Sequence, residues 1–176
     1  MGLNSKRHKI LTAAVAAVIA VIAASCSFSW HMNGTSVNYD IYKTVNITEF
    51  PIRAALVYPP LQQTFENELL DYVSRNTRLQ EVDGPADLEI SGEITGYSLS
   101  PQSVGSDAYA TETRLTITVR IKYTDNKNPS KSKDQSFSAY RQFSSDLMLT
   151  DVQDDLCREI SKELVNLIFN ATLGDW

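Results

Sequence analysis

The hydropathy pattern of this chain predicts an α+β fold. The expected form is a two-layer sandwich: a four-stranded, mainly antiparallel sheet with two helices on one face, in the order β-α-β-β-β-α. Three observations predict it. Two segments repeat apolar residues every three to four positions, as a helix with one buried face does. Four others alternate apolar and polar residues, as strands with one buried and one wet face do. Both helical stripes need an apolar partner and the strands offer a single apolar face, so the opposite face of the sheet stays polar.

The first strand is expected at Lys43–Phe50, with Val45 and Ile47 on one face and Pro51 ending it. Pro59-Pro60 opens a helix running to Asn76, because a proline in the first turn lacks only an N–H that would be unpaired there. Leu61, Phe65, Leu69 and Val73 form its stripe, while Gln62, Glu66 and Arg75 look outward. Ala86–Leu99 alternates, with Leu88, Ile90 and Ile94 inward, until the apolar phase switches at Gly96 to Tyr97 and Leu99, the mark of a bulge. Gly92 and Gly96 have no phosphate-loop or dinucleotide fingerprint around them. Pro101–Tyr109 reads as a turn-rich loop.

The clearest strand is Glu112–Tyr123. Leu115, Ile117, Val119, Ile121 and Tyr123 face one way, and Arg114, Thr116, Thr118, Arg120 and Lys122 the other. Asp125–Asp134 is a turn containing three lysines, and Ser136–Phe143 is the last strand, with Arg141 in its apolar phase as an end-of-strand charge. The last helix starts at Thr150, which with Gln153 fits a capping box, and Asp151, Asp154 and Asp155 suit a positive helix N-terminus. Val152, Leu156, Ile160, Leu164, Leu167 and Ile168 form its stripe. Cys157 flanks that stripe and reads as a buried small hydrophobe.

Ahead of this domain, residues 1–25 read as a lipoprotein signal peptide. Lys6, Arg7 and Lys9 precede the apolar run Ile10–Ala24, in which Thr12 is the one polar residue. The run is short for a permanent span, which takes about 20 apolar residues. Ala23, Ala24 and Ser25 then lead into Cys26, an ending that resembles a lipobox, with Ala23 smaller than the usual aliphatic residue. An ordinary signal peptide with a cysteine near its cut site is the other reading. As a lipobox, the segment makes Cys26 the acylated N-terminus (palmitate among its chains), and residues 26–42 become a lipidated tether to a domain at 43–176. Two or more acyl chains anchor a protein stably. No acidic cluster follows Cys26, which favours an outer-membrane anchor on the periplasmic side.

Composition narrows the function classes. Without residues 1–25 the chain has 151 residues, with 13 Lys and Arg against 21 Asp and Glu, a net charge of −8 that argues against nucleic acid as a partner. Only His31 and Cys157 would remain as histidine and unlipidated cysteine. No His/Cys cluster has metal-ligand spacing, and His31 falls in the tether, so no metal, cofactor or catalytic constellation is expected, and the chain reads as no enzyme. Charge is uneven: seven basic and two acidic residues lie between Arg114 and Arg141, making that stretch +5 while the rest of the processed chain is −13. Arg120, Lys122, Lys127, Lys131 and Lys133 are therefore candidate contacts for an anionic partner such as a phosphorylated lipid. The other reading of them is as solvated charges that discourage strand edges from pairing.

In their order and number, six segments resemble the lipopolysaccharide-assembly lipoprotein family, LptE, in its Bacteroidota-type form. They are VNITEFP (Val45–Pro51), LVYPPL (Leu56–Leu61), DLEISGEITGY (Asp87–Tyr97), RLTITVRIKYTDN (Arg114–Asn126), FSAYRQF (Phe137–Phe143) and LIFNATLGDW (Leu167–Trp176). The resemblance implies a lipid-anchored outer-membrane protein that plugs an LptD-type β-barrel and assists lipopolysaccharide insertion into the outer leaflet. It implies lipopolysaccharide itself as a second partner, but no local motif carries over the family's binding residues, so the five basic residues are candidates for binding it from charge alone. A polar sheet face fits the wet lumen of a large barrel, and the Pro101–Tyr109 loop is a candidate for barrel contact. The alternative is an unrelated periplasm-facing lipoprotein that binds a small or anionic ligand.

Overall fold

A computed structural model describes residues 37–103 and 110–174. The expected leader, Cys26, His31 and the centre of the Pro101–Tyr109 segment lie outside the described residues. The elements run β1 (Thr44–Ile47), α1 (Pro60–Asn76), β2 (Gln80–Glu81), β3 (Leu88–Ser103), β4 (Ala110–Asp125), a 3-10 turn (Pro129–Lys131), β5 (Lys133–Ser144) and α2 (Leu149–Thr172). The expected α+β class holds, but the sheet has five strands, in the order β2-β1-β3-β4-β5.

The additional strand, β2, escapes any periodicity because it is two residues long and both side chains are exposed. Backbone bonds hold it: Gln80 N–H donates to Lys43 O at 2.8 Å and Val82 N–H to Val45 O at 3.0 Å. β1 lies parallel to both β2 and β3, since α1 carries the chain across between them, while β3-β4-β5 is antiparallel. β1 is shorter than expected and stops at Ile47. Residues 48–53 still follow β3, through Thr48 N–H on Ile90 O and a bridge between Ile52 and Ile94.

The long hairpin corrects the expected loop. Pro101 pairs with Thr113 and Gln102 with Glu112, so three residues assigned to the loop extend β3 to Ser103. β1 ends far short of this level and leaves β3 paired on one side only, where a residue without an N–H is tolerated. β4, at 16 residues, spans about 50 Å. The register shift between Ile94 and Gly96 is the expected bulge, with Thr95 as the extra residue, and it explains the change of phase.

The core lies between the sheet and both helices. Leu88, Ile90, Ile94, Leu115, Ile117, Val119 and Ile121 from β3 and β4 meet Leu61, Phe65 and Leu69 of α1 and Ile160, Leu164 and Ile168 of α2, all of them buried. Gly92 lies in the core phase opposite Ile121 because Phe50 fills the space beside it. A Cβ there would stand 2.6 Å from the Phe50 ring and 2.2 Å from Arg120 O. Phe50 in turn packs edge-on against Phe65, with ring centroids 5.1 Å apart. Glu66, expected to look outward, instead accepts the Phe50 N–H at 2.6 Å and ties α1 to the segment after β1.

The capping box at the start of α2 does not form. The helix begins at Leu149, no side chain caps it, and Gln153 donates to the hydroxyl of Tyr97 at 2.6 Å. Tyr97 is buried, so its oxygen needs that partner more than an exposed backbone N–H does. Leu167 is 40% exposed, outside the buried stripe, whose place is taken by Val165 and Phe169. Cys157 is buried, as expected, and burial pushes its thiol up to about 11.

Candidate functional site

With both helices on one side, the strands present a polar face on the other. Register places Glu89, Ser91, Glu93, Ser98, Ser100 and Gln102 of β3 beside Thr124, Lys122, Arg120, Thr116, Arg114 and Glu112 of β4. Asp134, Ser136, Ser138, Tyr140 and Gln142 of β5 complete it. The middle of this face is hydroxyl-rich, and one cross-strand bond joins Thr118 Oγ1 to Ser138 Oγ at 2.9 Å. At Gly96 the backbone comes so close to Thr118 that a Cβ would lie 2.9 Å from the threonine Cβ, so glycine keeps this part of the face shallow.

Charge on the face is largely answered internally. Arg120 forms a two-pronged bond with Asp134, both contacts at 2.8 Å, and the pair raises the arginine's pKa and lowers the aspartate's. Glu93 lies opposite Arg120 in the register and Ser91 opposite Lys122, and Glu89 accepts from Asn126 at 2.8 Å. An open groove of about 390 Å³ runs here between residues 48–51 and the strands, lined by Glu49, Glu93, Arg120, Lys122 and Asp134.

The five candidate basic residues do not converge on one spot. Arg120 and Lys122 share the polar face. Lys127 and Lys131 lie in the turn between β4 and β5, where Lys127 Nζ pairs with Asp87 at 3.0 Å. Lys133 is on the helix side and donates to Ala171 O at 2.7 Å, in the last turn of α2, where a cation complements the helix dipole. Arg141, expected as an end-of-strand charge, bonds Glu159 at 3.0 Å and also Glu163, latching β5 to α2.

The same turn holds a clamp that periodicity did not reveal. Asp125 is 1% exposed and accepts from Tyr42 Oη at 2.7 Å, Lys127 N–H at 2.9 Å and Asn128 N–H at 2.7 Å. Burial and the Asp125 carboxylate push the Tyr42 hydroxyl up to about 12. Beside it, Asp87 accepts from Lys43 N–H at 2.7 Å and Thr44 N–H at 3.2 Å and pairs with Lys127. Those bonds, the Lys43 N–H first, hold the Asp87 carboxyl at about 2. The segment leading into β1 is thereby fixed to the β4–β5 end of the sheet, and Ser103 and Ala110, where the described parts of β3 and β4 stop, lie at the other end.

At the hairpin end of the face, Arg114 lies over the ring of Tyr140, 4.2 Å from its centroid. Alternation alone places Arg114 on the wet side, but its partner is 26 residues away and only the register brings them together. Among the described residues no group of His, Cys, Asp and Glu could hold a metal ion, and no helix is long and apolar enough to cross a membrane.

Among solved structures, an uncharacterized lipoprotein B from Nitrosomonas europaea matches with a TM-score of 0.51 at 16% identity, covering 77% of this chain and 87% of that one. A hypothetical protein from Chlamydia trachomatis matches with a TM-score of 0.52 at 11% identity, covering 76% and 99%. The rare lipoprotein B from Shewanella oneidensis gives 0.50 at 12% identity, covering 72% and 92%. At such identities the likeness concerns the fold alone. No curated protein matches in sequence. The model of one family, LptE, described as lipopolysaccharide-assembly, matches residues 42–172.

Proposed function

The chain belongs to the LptE lipopolysaccharide-assembly family, and from that premise we propose that it is an outer-membrane lipoprotein, anchored through Cys26 on the periplasmic side, that plugs an LptD-type β-barrel and supports lipopolysaccharide assembly. On this reading it is an assembly factor and not an enzyme. Family membership supports this reading over that of an unrelated binding lipoprotein.

One observation carries the reading: a sheet whose uncovered face is hydroxyl-rich and nearly balanced in charge. A face meant for acyl chains would be apolar, and one meant to track nucleic acid would be basic. A wet barrel lumen is polar, and its wall is met at low desolvation cost by hydroxyls and charges that already have partners. Lipopolysaccharide contact remains assigned to Arg120, Lys122, Lys127, Lys131 and Lys133. Lys122 and Lys131 are the two whose ammonium groups form no ion pair among the described residues.

Site-specific photocrosslinking in intact cells tests the reading. A probe at Ser98 or Ser136 on the polar face should yield a product of the mass of this chain plus a large barrel, and a probe at Lys162 on α2 a weaker one. Crosslinks from Lys162 alone would assign the contact to the helices.

A further inference from the structure

Three arginines lie on the antiparallel strands, and two are held by carboxylates: Arg120 by Asp134, and Arg141 by Glu159 and Glu163. Arg114 forms no ion pair among the described residues. Its guanidinium nonetheless rests against neighbours. It lies over Tyr140 at 4.2 Å from the ring centroid, and turning the Gln142 amide end for end would let its oxygen accept from Nη2 at 3.2 Å and its nitrogen donate to Glu112 at 3.3 Å. Its Nε is enclosed and has no acceptor. What remains for a partner is the outer edge formed by the two Nη groups.

A guanidinium held over an aromatic ring has already lost rotamer freedom and hydration, so a further ion pair costs little ordering entropy. Its Nη edge matches the two oxygens of a carboxylate. Arginine and tyrosine are also the residue types that dominate the energetics of protein interfaces. We propose that Arg114, stacked on Tyr140, is the anchor at which a carboxylate of a protein partner docks on the polar face. This rests on the reading that the face meets a barrel wall.

The surroundings favour a protein over a phosphorylated glycolipid. Glu112, two residues away on the same face, repels a doubly charged phosphate more than a singly charged carboxylate, no second unpaired cation adjoins Arg114 among the described residues, and Tyr140 stands 50% exposed. A single carboxylate on a protein wall suits that arrangement.

The test uses the full lipidated chain in its own membrane, with an affinity tag. Arg114→Gln should lower recovery of the barrel at least tenfold and Tyr140→Ala several-fold. Arg114→Lys, which keeps charge but lacks the planar fork, should fall between Arg114→Gln and the parent. A urea midpoint of Arg114→Gln close to the parent's excludes misfolding as the cause. Unchanged recovery with Arg114→Gln, while the Ser98 probe still crosslinks to the barrel, overturns the anchor and leaves the face reading intact. Loss of the Ser98 and Ser136 crosslinks in the parent chain overturns the face reading itself. Loss of co-purified lipopolysaccharide with full barrel recovery overturns the proposal in favour of a glycolipid at Arg114.

Discussion

Replacing Asp125 by alanine should unfold the domain far more easily than its position in a surface turn suggests. The carboxylate is 1% exposed and serves three donors: Tyr42 Oη, Lys127 N–H and Asn128 N–H. Leaving a buried donor without its acceptor costs about 1–3 kcal/mol each. Lys127 and Asn128 are exposed residues whose N–H groups can rehydrate, which puts them near the lower end. The total for Asp125→Ala is then about 3–4 kcal/mol. Asp125→Asn keeps a carbonyl oxygen for both backbone donors, and its amide faces a tyrosine hydroxyl that can turn from donor to acceptor, so it should cost about 1 kcal/mol. Tyr42→Phe removes one bond and should cost about the same. Equilibrium urea unfolding of the chain from Ser27 onward reads all three. At a slope of about 2 kcal/mol per molar, Asp125→Ala should move the midpoint down by about 1.5–2 M. A midpoint within about 0.3 M of the parent, or equal losses for alanine and asparagine, would refute the clamp.

Other consequences follow from the same contacts. Gly92→Ala forces a methyl against Arg120 O and the Phe50 ring and should destabilise by about 2–3 kcal/mol in the same assay; a neutral effect would mean that Phe50 does not fill that space. Asp87 has its carboxyl lowered from 3.8 to about 2, so its stabilisation is fully present above pH 4 and is lost as pH falls toward 2. Asp87→Asn should flatten the acid limb of the stability profile over that window and cost about 1–2 kcal/mol at neutral pH; an unchanged limb contradicts the assignment. Lys122→Glu with Lys131→Glu should weaken lipopolysaccharide binding more at low than at high salt, with little loss of stability because neither ammonium holds an ion pair among the described residues. Equal affinity at low salt would return these lysines to the role of solvated charges.

The elements legible in the sequence are those that bury side chains periodically. α1 begins and ends within a residue of its expected bounds because Leu61, Phe65, Leu69 and Val73 mark one face and Pro60 marks the start. β4 was legible because five alternate residues all enter the core. What escaped was made by the backbone or by distant pairs. β2 has no buried side chain to announce it. Pro101 and Gln102 look like loop residues, yet they extend β3 because β4 pairs them through the main chain. Thr150 and Gln153 fitted a cap until Tyr97, more than fifty residues earlier, took the glutamine. The basic stretch looked like one patch, but folding sends Lys133 to the helix, Lys127 to Asp87 and Arg120 to Asp134. The Arg114–Tyr140 stack depends on register, which residue spacing does not encode.

The most direct test of the plug is affinity purification of the tagged, lipidated chain from detergent-solubilised outer membranes, with mass spectrometry of what is retained. A large β-barrel in equal stoichiometry is the expected result. A monomer alone, recovered from membranes in which the barrel is present and solubilised intact, would contradict the account.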